Sequence, residues 1–179
     1  MSLFLATLLV AFALLFFGAA LVANTSTVRA MLRGFPRSTT AAYVFFGGAA
    51  AWFLSRVATL SEADFGQFRV QLFIGFAIVS VLAFFYVAEF LAVRGLAALV
   101  LLAAGPLLGP AFGEYAIPAR LFMVTAVYLA LTAALILGAQ PYRLRDFITW
   151  LQAIPGRSRR IGASFIAYGL IVLGTAFTY

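Results

Sequence analysis

Few side chains in this chain are able to move a proton or hold an ion: among 179 residues there are five acids, twelve arginines, no histidine, no cysteine and no lysine. One acid, Glu89, lies inside a long apolar run, with Tyr86 three residues before it and Arg94 five after. A carboxylate at membrane depth is costly and is a candidate for ion or proton handling by default. Glu89 sits only about one and a half turns from the end of its run, so a plainer role competes: a helix-end ion pair with Arg94, helped by the Tyr86 hydroxyl.

The missing residue types remove whole classes of chemistry. Disulfides, thiolate ligands and histidine ligation of zinc or haem are impossible. Imidazole acid–base catalysis and a serine activated by lysine go with them. The two aspartates, Asp64 and Asp146, both fall in loops, which does not suit an intramembrane aspartyl protease, and no phosphate-cradling glycine loop of the Walker type occurs. No catalytic residue, cofactor site or metal site is expected. The phenylalanines, dense at Phe73, Phe76, Phe84, Phe85 and Phe90, are read as facing lipid or filling helix interfaces.

The elements that position these residues are membrane helices. Hydrophobic residues make up 65% of the chain and charged residues 9%, with a mean hydropathy of +1.11. Soluble domains carry roughly a quarter charged residues. The apolar runs are continuous and long, which indicates helices rather than the alternating ten-residue segments of an outer-membrane barrel. The expected fold is a single all-α domain, a polytopic bundle of six transmembrane helices over residues 2–23, 40–60, 68–93, 96–112, 117–138 and 161–177. The first run has no positive stretch before it and reads as a span rather than a leader.

Arginine orients the bundle, because guanidinium groups at membrane edges accumulate on the cytoplasmic side. Residues 141–160 hold Arg143, Arg145, Arg157, Arg159 and Arg160. Leu144, Phe147, Ile148 and Leu151 recur there at helical spacing, predicting an interfacial helix over 142–154 that lies flat on anionic lipid. Arg29, Arg33, Arg37 and Arg94 join the same side, leaving Arg56, Arg69 and Arg120 opposite, so both termini are expected in the periplasm. The outer arginines are expected to pair with neighbouring acids, Arg56 and Arg69 with Glu62 and Asp64. This distribution also accounts for the net charge of +7 without nucleic-acid binding.

Two Gly-Pro pairs, Gly105-Pro106 and Gly109-Pro110, interrupt the fourth run. Proline removes an amide donor, so this run either kinks as a full span or turns back as a re-entrant segment. With Arg94 and residues 143–160 on one side, an even number of crossings between them favours the full span. Small residues mark the expected packing faces: Gly47 and Gly48; Ala126, Ala130, Ala134 and Gly138; and Ala163, Ala167 and Gly174.

The segment DFITWLQAIPGRSRRIGASFIAYGLIVL resembles the C-terminal part of small bacterial inner-membrane proteins of unknown function, in which an interfacial helix and a proline turn lead to an arginine pair and a glycine-spaced last span. The resemblance implies a bacterial inner-membrane location and no particular activity. The residues themselves point to a non-enzymatic accessory or scaffolding subunit whose partners are lipids and other membrane subunits or further copies of itself. The alternative is a small homo-oligomeric transporter or channel using Glu89 and the Gly105–Pro110 break.

The chain has no cysteine, so single-cysteine variants test the weave directly. Gly34→Cys and Arg159→Cys are expected to react with an impermeant maleimide only in inside-out vesicles, and Ala63→Cys only in intact spheroplasts. Labelling of positions 34 and 159 from opposite sides overturns the six-span reading.

Overall fold

The computed structural model describes residues 1–179 and contains helices and turns but no strand. The helices are α1 (Leu3–Ala23), α2 (Ser26–Gly34), α3 (Thr39–Val57), α4 (Arg69–Tyr86), α5 (Leu91–Leu108), α6 (Arg120–Ala139), α7 (Tyr142–Ala153) and α8 (Arg157–Ala176). Local chemistry sets several of their starts. Ser2, Thr25 and Ser38 cap α1, α2 and α3 by accepting from the amides of Leu5, Val28 and Ala41. Hydroxyl caps of this kind satisfy amides that have no partner within the helix. Asn24 stops α1 in the left-handed region that asparagine tolerates.

Four helical segments are long and apolar enough to cross a membrane: Leu3–Ala23, Gly66–Tyr86, Leu91–Ala111 and Arg120–Ala139. Helices α3 and α8 have comparable lengths of 19 and 20 residues but are less apolar, α3 carrying Arg56 and α8 opening on Arg157, Arg159 and Arg160. Pro106 lies within α5, which runs on to Leu108 and through a 3-10 turn to Ala111, so the Gly-Pro pairs neither fold the chain back nor break the helix.

The third apolar run departs from its expected course. Instead of continuing to Val93 and turning at Arg94-Gly95, helix α4 ends at Tyr86 and α5 begins at Leu91. The turn between them places Phe90 at φ 57°, a left-handed conformation that costs a side-chain-bearing residue about 1–3 kcal/mol. Hydropathy cannot see this turn because Val87, Ala88 and Phe90 are as apolar as the helices they join. Gly95 serves packing rather than a turn. A Cβ there would lie 2.5 Å from Phe46 Cα, so the glycine lets α5 press against the backbone of α3.

Two helix pairs organise the bundle. Helices α1 and α8 are antiparallel and form the most extensive contact, crossing where Gly18 and Gly162 meet. A Cβ at Gly162 would sit 2.7 Å from the Gly18 carbonyl oxygen, and one at Gly18 would sit 2.9 Å from that of Gly162. Helices α3 and α5 run parallel, and α6 connects the pairs through a core of Ala6, Val10, Ala11, Ala104, Met123 and Val172 among others. Helix α4 lies outside this core, packed along α3 through Phe53–Phe76 and Tyr43–Phe84 ring contacts, with no residue of its apolar window buried.

The small-residue faces differ in part from expectation. A strict i+4 stripe precesses about 40° per step. Accordingly Ala126 faces the core with α1 and α8, Ala130 is exposed, Ala134 is buried, and a Cβ on Gly138 would lie 3.8 Å from Ala97 of α5. On α8 the packed face is Ser158, Gly162, Gly169, Val172 and Ala176, while Ala163, Ala167 and Gly174 lie on the exposed side. Both registers carry small residues, so composition alone does not choose between them. Gly47 and Gly48 have open space around them rather than a closely approaching helix.

Gly162→Leu forces the α1–α8 backbones apart and is expected to cost about 1–3 kcal/mol, seen as a lower unfolding midpoint in detergent. Gly48→Ala, where nothing lies within 4 Å, is expected to change the midpoint little.

Candidate functional site

Contacts between loops gather nine arginines at one end of the bundle. The end of α1 meets the start of α8 where the buried Ser158 hydroxyl donates to the Leu21 carbonyl at 2.9 Å. Helix α2 is tied to α7 by Gln152, which accepts from Arg33 Nε and donates to the Arg29 carbonyl at 3.3 Å. The Arg37 guanidinium lies 5.8 Å from the centre of the Phe90 ring, joining the entry of α3 to the α4–α5 turn. Arg29, Arg33, Arg37, Arg94, Arg143, Arg145, Arg157, Arg159 and Arg160 share this end with only two acids, Glu89 and Asp146.

Helix α7 is amphipathic as its spacing predicts. Ile148 and Leu151 are buried against the bundle, while Phe147 and Trp150 stack on each other at 5.7 Å and stay half exposed. Arg157 covers Trp150 at 4.2 Å from the ring centre and donates to the Trp150 carbonyl, fixing the short turn through Gly156 into α8. Arg145 and Asp146 form the only salt bridge in the molecule, at 2.9 Å, and it is exposed. Arg143, Arg159 and Arg160 have no carboxylate partner. Helix α2 adds a second amphipathic element with no buried residue, in a stretch expected to be loop.

Glu89 lies in the exposed turn after α4, not within a helix. Arg94 folds back as expected, but its Nη1 donates to the Glu89 backbone carbonyl at 3.2 Å and no carboxylate–guanidinium pair forms. Tyr86 is exposed at the end of α4. These three residues border an open cleft of about 560 Å³ whose far wall is Pro141 and Tyr142. A second depression, about 410 Å³, lies on the Arg37 side and shares Ala88, Glu89 and Phe90 with the first. Hydropathy puts Glu89 inside a span for the same reason that it overextends α4: the other residues of the turn, Val87, Ala88 and Phe90, are apolar.

The opposite end is less organised. Arg56 and Arg69 form no ion pair with Glu62 or Asp64, and Asp64 instead accepts from the Ser61 hydroxyl at 2.9 Å. Arg120 stacks on Tyr115 at 5.1 Å. The termini are joined there by Thr7, fully buried, whose hydroxyl lies 3.1 Å from that of Tyr179. Pro106 and Gly105 are exposed on the surface of α5 rather than facing an internal path.

With acids dispersed and arginines concentrated, the basic end is suited to holding phosphate-bearing groups by charge-assisted hydrogen bonds. No family model, curated protein or solved structure matches the chain. Gln152 carries the only side-chain hydrogen bonds between α2 and α7, a role no motif announces. Gln152→Ala is expected to free α2, speeding trypsin cleavage after Arg29 and Arg33 while leaving the unfolding free energy of the bundle within about 1 kcal/mol of the parent.

Proposed function

We propose that the protein is a non-enzymatic accessory or scaffolding subunit of a multi-subunit bacterial inner-membrane complex, acting through helix–helix and lipid contacts. In this reading α3 and α8 join the four more apolar helices as spans, since each runs along a membrane-length helix, α3 beside α5 and α8 beside α1. Nine arginines at one end and three at the other support placing the basic end in the cytoplasm and both termini in the periplasm.

The observation that carries the proposal is α4. It is as apolar as the core helices, yet it packs on the bundle mainly along α3, with Ala83 and Phe84 reaching the cluster of Ala42, Leu91 and Ala92. Val70, Ile74, Ile78, Val81 and Phe85 follow one another at i+4, i+4, i+3 and i+4, forming one continuous exposed ridge. Lipid tails are as apolar as this ridge, so burial from water does not hold a helix in place within a bilayer; shape-matched packing does. A helix so sparsely packed on its own chain is suited to completing its packing on a partner.

The alternative, a homo-oligomeric transporter, needs a polar path, and the elements assigned to it lie elsewhere: Glu89 in an exposed turn, and Gly105, Pro106 and Gly109 on the exposed side of a helical segment that continues to Ala111. Purification in mild detergent separates the readings. Constant stoichiometry with other polypeptides is expected, lost in the triple variant Ile74→Ala, Ile78→Ala, Val81→Ala without a fall in the bundle's own unfolding midpoint. A homo-oligomer that conducts in liposomes, with flux abolished by Glu89→Gln, overturns the subunit reading.

A further inference from the structure

We infer that the cleft at the α4–α5 turn is a binding site for an anionic glycerophospholipid of the leaflet at the basic end, with its phosphate on Arg94 and Arg37 and an acyl chain along α5. The inference does not rest on the subunit reading. It begins from the two arginines. Neither has a carboxylate partner: Arg94 donates only to the Glu89 carbonyl, and Arg37 lies over Phe90. They flank one turn from opposite sides, each lining one of the two adjoining depressions. Glu89 is the only acid between them, so the mouth stays net positive and complements a phosphodiester.

What leads away from this mouth is apolar and of one leaflet's depth. Arg94 is followed by Ala98, Leu101 and Gly105 at i+4, i+7 and i+11, all half-buried or exposed, so one face of α5 continues from the guanidinium into the membrane. That face lies about a quarter turn from Gly95, which touches α3, and about a quarter turn from Ala97, which meets α6. The stripe is therefore the floor of a groove walled by α6 on one side and by α3, with α4 beyond it, on the other. Eleven residues of helix rise about 16 Å, close to half of a hydrocarbon core of about 30 Å. Tyr142 and Tyr86 stand at the groove's mouth, at the level where aromatic rings with a polar end settle between headgroups and acyl chains.

Binding is read by native mass spectrometry of the full chain in detergent, titrated with palmitoyl-oleoyl phosphatidylglycerol or with the matching phosphatidylcholine. One phosphatidylglycerol is expected to bind ahead of any phosphatidylcholine. Replacing both arginines, Arg37→Gln with Arg94→Gln, is expected to weaken that first event at least about tenfold, since each arginine near a phosphate is worth roughly a factor of five. Arg159→Gln with Arg160→Gln removes the same charge from the same end and is expected to leave it unchanged. Glu89→Gln, in an exposed turn whose fold does not depend on its charge, is expected to tighten binding. Equal affinity for the two lipids, equal loss in both double variants, or no tightening in Glu89→Gln overturns the assignment.

Discussion

Helices in a bilayer are not pushed together by water, because their apolar surfaces lose nothing by facing lipid; they associate where their backbones come close enough for dense contact. The crossing of Gly18 over Gly162 meets this requirement, each glycine's missing Cβ being occupied by the other helix's carbonyl oxygen. Gly169 extends the contact toward Leu14 and Leu15, and Ser158 closes it at the basic end with a hydrogen bond to Leu21. The first and last helices are thereby joined, and the remaining helices are laid against that pair through α6.

The same constraint explains the asymmetry of the molecule. Gly95 performs for α3 and α5 what Gly18 and Gly162 perform for α1 and α8. Helix α4 has no equivalent. Gly75 has open space around it, and α4 meets α3 through the ring pairs Phe53–Phe76, Tyr43–Phe84 and Phe46–Phe84. The peripheral place of α4 and its exposed ridge follow from where close-approach glycines are present and where they are absent.

The basic end obeys a different rule. Its partnered arginines are held by the rings of Phe90 and Trp150, by backbone carbonyls and by Gln152, and only Arg145 has a carboxylate, that of Asp146. Unpaired guanidinium groups are tolerated at an aqueous edge and are attracted by anionic headgroups, so this end combines two amphipathic helices with a surplus of positive charge. The proposed subunit role and the proposed lipid site draw on different parts of the chain, the ridge of α4 and the α4–α5 turn.

Composition and arginine spacing determined the membrane class, the helical fold, the amphipathic helix α7 and the grouping of Arg33 with Arg157 at one end, because hydropathy and charge act residue by residue and need no knowledge of neighbours. They did not determine where α4 ends, since three of the four residues of the turn at Val87–Phe90 are apolar and the turn is made by Phe90 in a left-handed conformation. Nor did they distinguish Gly162 from Ala163, or give Gly18 and Gly95 their significance: a small side chain becomes a packing site only when another backbone arrives opposite it. That meeting is a property of the assembled helices, and it decided which glycines hold the bundle, which alanines face outward, and that Glu89 stands in an exposed turn rather than inside a span.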